Sequence, residues 1–204
     1  MDNFAECLKF TLLQEGGWSN NPNDPGGATM KGVTLAVYRQ WKHNPNLTGN
    51  DLKKITDGEL QAIYSQNYWV PSAGDKLPLG VDLMVFDMSV NAGVSRSAKL
   101  LQATVGANID GAIGTNTLSK IAALNPVAII NALAEHQAAF YKSLSTFKVF
   151  GKGWMNRINA RHAASLALAA KNPANVHPST PVAKPVSEED HPPVDFFSWL
   201  KSLV

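Results

Sequence analysis

The chain has one cysteine in 204 residues, Cys7, so an internal disulfide is excluded. Cys7 falls on an apolar helical stripe and reads as a small buried hydrophobe. No apolar run comes near the eighteen residues that a membrane span needs. The N-terminus has no basic segment followed by a continuous apolar one, so a secretory signal is not expected. The five histidines are scattered, with no HxxxH and no Cys/His pairing, which argues against a catalytic zinc site. A GxSxG elbow, a phosphate-cradling glycine loop and the alternating oxygens of a calcium loop are all missing, and no metal or cofactor is expected. Charge is sparse as well: 17% of residues are charged and the net charge is +2. The small positive excess lies ahead of residue 172, and the tail beyond is acidic. Such a mildly basic body suits an anionic polymer but is too weak to argue for nucleic acid.

What is present is a mainly α pattern. With 45% hydrophobic residues, the chain is long enough to bury a good core as one domain or two small ones. Asp2 or Asn3 can cap a first helix whose apolar face holds Phe4, Cys7, Leu8, Thr11 and Leu12. Glu15 is next on that face, in the last turn, and Gly16-Gly17 supplies a stop through the left-handed conformation open to glycine. A carboxylate there is opposed by burial and by the negative helix end, both of which favour its protonated form. A general acid needs that form. The alternative, a solvated Glu fraying off the helix, stays open on helix geometry alone. Nine residues on, Asp24 sits in the polar loop ahead of Pro25-Gly26-Gly27. Two carboxylates in unlike environments are the pattern that divides acid and base roles in glycoside hydrolysis. Thr29 and Thr34 follow, the second equally suited to capping the next helix.

Leu35 to Trp41 reads as that helix. Asp51-Leu52 begins a short one after a turn, and Thr56 with Glu59 forms a capping box for a helix reaching about Tyr68. Residues 80–91 are strongly apolar and read as the buried central helix. Asp87 interrupts it, and a buried Asp requires a partner: either it is a structural cap or ion pair, or it orients Glu15 or substrate with help from Asn91. A helix from Ser95 to Val105, an Asp110-Gly111 turn, and a helix capped by Thr115 follow. Pro126 opens a long helix, which Gly151 is expected to break. Trp154 to Ala170 then forms the last helix, with Arg157 and Arg161 on one edge, solvated or salt-bridged by default. Tyr64, Tyr68 and Trp69 have flat faces suited to sugar rings, although aromatics at helical spacing are more often core.

Several blocks together resemble glycoside hydrolase family 108, the EGGY-type N-acetylmuramidases found as phage endolysins and bacterial wall hydrolases. They are Glu15-Gly16-Gly17-Trp18, Asp24-Pro25-Gly26-Gly27-Ala28-Thr29, Lys31-Gly32-Val33-Thr34, Tyr68-Trp69-Val70-Pro71, Leu77-Pro78, Val85-Phe86-Asp87 and Asn91-Ala92-Gly93. The resemblance runs to about Leu168, with Trp18 in place of the commoner Tyr. It implies a lysozyme-like helical fold with Glu15 as the catalytic acid. The order Glu, Asp, Thr also resembles the triad of phage-type lysozymes, which would make Glu15, Asp24 and Thr29 catalytic. Trp18, Thr34, Tyr64, Tyr68, Trp69, Asp87 and Asn91 are the candidates for substrate binding. The division expected is a catalytic region over 1–93 and a helical region over 94–171, similar to a peptidoglycan-binding repeat, that completes the fold.

Residues 172–195 are proline-rich with little apolar content and read as an extended linker. In 196–204, Phe196, Phe197, Trp199, Leu200 and Leu203 would share one helical face, assigned to membrane contact; docking on a partner or on the body is the alternative. The expected substrate is the glycan strand of peptidoglycan, cleaved at the β-1,4 bond between N-acetylmuramic acid and N-acetylglucosamine. A lytic transglycosylase and a non-catalytic wall-binding protein are the rival readings. An enzyme made in the cytoplasm without a signal would reach the periplasm or wall through a holin or a dedicated export route.

Overall fold

The computed structural model describes residues 3–20 and 27–172. The expected linker and aromatic tail lie outside these residues. Among them are nine α-helices and a small three-stranded sheet: α1 (Phe4–Gln14), β1 (Trp18–Ser19), β2 (Thr29–Met30), β3 (Val33–Thr34), α2 (Leu35–Trp41), α3 (Gly49–Leu52), α4 (Asp57–Tyr64), α5 (Val81–Ala92), α6 (Val94–Val105), α7 (Thr115–Ala122), α8 (Pro126–Ser143) and α9 (Phe147–Ala169). The strands are antiparallel in the order β1-β2-β3, with Trp18 opposite Met30 and Thr29 opposite Thr34. The fold is mainly α and lysozyme-like, as expected from the sequence.

Local signals place several helix ends. The Thr34 hydroxyl accepts from the Val37 amide at 3.2 Å and caps α2, which is the structural role foreseen for it. Thr56 and Glu59 close the capping box of α4 in both directions, at 2.9 and 3.2 Å. Asn125 caps α8 by accepting from Val127, with Pro126 in the first turn where its missing N–H costs nothing. α4 continues without interruption into a π-helical turn at Ser65–Trp69.

Three boundaries differ from expectation. α1 does not stop on a left-handed glycine: Glu15 itself turns extended, at φ −86° and ψ 144°, while its N–H still bonds Thr11. α3 starts at Gly49, because the Asp51 carboxylate accepts from both the amide and the hydroxyl of Thr48 at 2.7 Å and draws the turn into the helix. Gly151 does not break a helix. α8 ends where Leu144 becomes extended, at ψ 137°, and α9 runs through Gly151, where a Cβ would stand 2.7 Å from the Phe147 ring. The glycine makes room for a neighbour on its own helix.

α5 is the centre of the molecule. Every residue from Val81 to Ser89 is buried, which matches the continuous apolar run in the sequence. One side of it (Val81, Met84, Val85, Met88) joins a core with α6, α8 and α9; the other (Leu83, Phe86) joins a core with α1, α4 and the π-helical turn. Each such side chain contributes about 1.5–3 kcal/mol by leaving water. Gly80, at φ +87°, begins the helix where a Cβ would strike the Ser165 carbonyl, so α9 lies directly against the start of α5. Leu168 near the end of α9 reaches the α1 core, tying the last helix to the first. In the α6–α7 connection, Gln102 is fully buried. Its amide donates to Asp110 and Ala112 at 2.7 and 2.9 Å, and its oxygen accepts from Gly111 at 2.9 Å. The Asp-Gly turn is thus held by its own neighbours, which is a structural use of that motif.

Candidate active site

The site is built where the C-terminus of α1 meets α5 and α9. Asp87, in mid-α5, has no exposed surface, so its charge must be matched locally. It is matched on three sides. Arg161 donates to Oδ2 at 2.7 Å, Arg157 donates to Oδ2 at 3.0 Å and to Oδ1 at 2.8 Å, and the Thr11 hydroxyl of α1 donates to Oδ1 at 2.9 Å. Burial pushes this carboxyl up, but the two guanidinium groups and the hydroxyl outweigh it and hold it below the usual aspartate range. Arg161, also fully buried, donates from its other terminal nitrogen to Gln137 at 2.6 Å, and Gln137 donates in turn to the Met84 carbonyl at 3.1 Å.

Arg157 faces Glu15 as well. Both of its terminal nitrogens donate to Oε1 of Glu15 at 2.9 Å. One guanidinium therefore bridges a fully buried carboxylate and one whose side chain is 21% exposed. The planar fork of arginine permits this double duty, which a lysine point charge could not perform. Oε2 of Glu15 receives no hydrogen bond among the described residues and points at the β2–β3 turn. That turn is tight: Lys31 and Gly32 have φ of +47° and +77°. A Cβ on Gly32 would lie 3.2 Å from Oε2 and would collide with the Tyr64 hydroxyl, so only glycine lets the turn come this close. Tyr64 donates to the Lys31 carbonyl at 2.9 Å and fixes the turn to α4. Its phenol is pushed well up by burial and next by the Glu15 charge; Tyr68 is pushed the same way by the same causes in the same order.

The structure sorts the expected residues. Glu15, Asp87, Tyr64 and Tyr68 gather at one place. Glu15 does not lie on the buried stripe of a helix against an apolar wall: it is the cap residue of α1, part-exposed, with a guanidinium as its neighbour. Asp87 is an ion-paired core residue, as one of its two readings held, and its partner Arg157 also contacts Glu15. Tyr64 is 1% exposed and Trp69 4%. Trp69 packs on Phe4 and Phe86 at ring distances of 5.4 and 5.5 Å, a core position that corrects its expected contact with substrate. Trp18 leans on α3, with the Lys53 ammonium 4.5 Å above its ring. Thr29 lies on β2, and its hydroxyl donates to the Gly27 carbonyl at 3.5 Å. Asn91 is exposed at the end of α5, bonded to the Tyr141 hydroxyl. Asp24 falls within 21–26, outside the described residues. Sequence reasoning missed the roles of Arg157, Arg161, Thr11 and Gln137. The spacing of Arg157 and Arg161, one helical turn apart, was the available signal, and a buried Asp87 in need of cations was its complement.

Among the described residues no cluster of His, Cys, Asp or Glu could hold a metal ion. A separate cleft of about 370 Å³ between α1 and α4, lined by Leu8, Leu12, Leu13 and Leu60 among others, includes none of Glu15, Asp87 or Arg157.

A helical lysozyme-like fold that presents a part-exposed carboxylate, braced by a buried ion network beside a small sheet, is compatible with glycoside hydrolysis by carboxylates, and similarity to known proteins supplies the class. The model of the family described as Glycosyl hydrolase 108 matches residues 8–93. The structure reported as that of Brucella abortus SagA superposes with a TM-score of 0.74 at 37% identity, covering 84% of this chain and 98% of that one. No curated protein matches. The chain belongs to glycosyl hydrolase family 108 and is a hydrolase of the peptidoglycan-cleaving kind.

Proposed function

We propose that the protein is an N-acetylmuramidase, which cleaves the β-1,4 bond between N-acetylmuramic acid and N-acetylglucosamine with Glu15 as general acid. The observation that carries this reading is the asymmetry of the Glu15 carboxylate. Oε1 accepts from Arg157, which leaves Oε2, the oxygen turned to the Gly32 turn, as the one that hands a proton to the leaving oxygen. The Asp87–Arg157 pair keeps that orientation fixed before substrate arrives, and such preorganisation is what acid catalysis needs. Asp24 supplies the second function, activating water or stabilising the oxocarbenium ion, with Thr29 positioning that water or the loop. A carboxylate separation of roughly 5 Å makes the route covalent, and roughly 6.5–9.5 Å makes it inverting. Tyr68, half-exposed beside Glu15, flanks the bound sugar. The enzyme acts on the wall after release through a holin or an export route, as a phage endolysin or a cellular lytic factor.

The test is turbidity loss of purified peptidoglycan with wild type and Glu15→Gln, the released fragments being identified by mass. The expected outcome is reducing muramic acid ends from wild type and none from the folded variant. Anhydro-muramic ends, with Asp24→Asn still active, would replace this reading with a lytic transglycosylase. Binding without cleavage by either protein would leave a wall-binding protein.

A further inference from the structure

We infer that an aromatic strip on α9 extends the substrate-binding surface away from Glu15 and takes the sugar faces of a glycan strand. Phe150, Trp154 and Arg157 follow one another at intervals of four and three residues, so they lie on one face of the helix, with Phe150 about 10 Å along the axis from Arg157. Arg157 ends the strip at Glu15. Of its other members, Trp154 rests against the main core while Phe150 stands out from it. Phe150 is 54% exposed, although a phenyl ring gains most by burial. Trp154 is half-buried, with its ring centroid 5.7 Å from Phe150 and 5.1 Å from Tyr141 of α8, so the rings form a continuous wall rather than isolated contacts. Beside that wall stands Asn91: its Oδ1 accepts from the Tyr141 hydroxyl, which leaves its NH2 group for a ligand oxygen. Flat rings with an adjacent amide donor match the chemistry of an N-acetylated hexose, whose axial C–H face is apolar and whose acetamido oxygen accepts a hydrogen bond. The occupant is a glycan strand because the strip is continuous with the hydrolytic carboxylate and has the length of a short oligosaccharide.

The assignment rests on the reading that substrate crosses Glu15, and its test is chosen to fail separately. Peptide-free glycan strands are bound to Glu15→Gln protein, with and without Phe150→Ser. Phe150 is exposed, so the substitution leaves the fold intact. The expected result is about tenfold weaker binding for Phe150→Ser, with binding kept by Phe150→Trp, which restores an aromatic face. Val149→Ser, altering a neighbour 74% exposed and off the strip, is expected to bind like its parent. Unchanged binding by Phe150→Ser overturns the strip even when wild type cleaves the wall. An equal loss with Val149→Ser overturns it in favour of a nonspecific apolar patch, as does Phe150-dependent binding to phosphatidylglycerol vesicles without any to glycan. Weakened glycan binding by Phe150→Ser, in a protein whose wild type releases no fragments, keeps the strip and removes the muramidase reading.

Discussion

Arg157 joins two carboxylates that neither helix could have held alone, and Asp87 is the anchor of that arrangement. With Arg161 fully buried on its far side, the charges are balanced only while Asp87 is ionised. Asp87→Asn removes the balance and leaves a buried guanidinium without a full partner. The expected cost is about 3–5 kcal/mol, read from urea unfolding at neutral pH, together with loss of wall clearance as Arg157 is released from its position. The pH dependence follows from the direction of the shift. Asp87 titrates lower in the folded chain than its ordinary value of 3.8, so its stabilisation is complete above that value and is lost as pH falls through the folded one. Wild type should therefore show a stability loss in that acid window that Asp87→Asn lacks; equal acid unfolding of the two would count against the network. The sequence showed that Asp87 needed a partner, because a charge inside an apolar run is costly wherever the chain goes. It did not show which partner, since Arg157 is 70 residues away and only the packing of α9 on α5 brings the two together.

At the scale of elements, the β2–β3 turn is set by Gly32 against the hydroxyl of Tyr64 and the carboxylate of Glu15. Gly32→Ala adds a Cβ to a residue at φ +77°, a conformation costing about 1–2 kcal/mol for an L side chain, and also forces the turn off Tyr64. Its activity is expected to drop more than its melting temperature suggests, because the displaced turn borders Oε2. Adding Tyr64→Phe removes the colliding hydroxyl, so the double variant should recover stability relative to Gly32→Ala alone, and a purely additive thermal shift would refute the collision. Helices with their own signals were legible beforehand: the Thr56–Glu59 box, Pro126 and the Thr34 cap depend on residues within a turn of the helix start. The start of α9 was not legible. Gly151 carries a strong local preference against helix, and the space it leaves for the Phe147 ring is a fact of packing.

For the whole molecule, the sharing of α5 between two cores makes the halves interdependent. The segment matched by the family model ends at residue 93, yet the α5 side chains Val81, Met84, Val85 and Met88 are covered by helices beyond it. A fragment of residues 1–93 is expected to remain unfolded by circular dichroism and inactive on the wall, and the full chain to melt in one transition. A folded fragment, or two separate transitions, would show the halves to be independent. The division at residue 93 visible in the motifs follows where the family's residues cluster, whereas the cores follow what α5 touches on each side.

The Glu15–Arg157 contact joins residues 142 positions apart. In synthesis from the N-terminus, Glu15 is laid down 142 residues before the guanidinium that holds it. A translation product cut short before α9 thus carries the whole Glu15 motif without the group that aims it. A chain ended anywhere in this interval is expected to leave the wall uncut, and turbidity assays on truncations placed before and after α9 would check it.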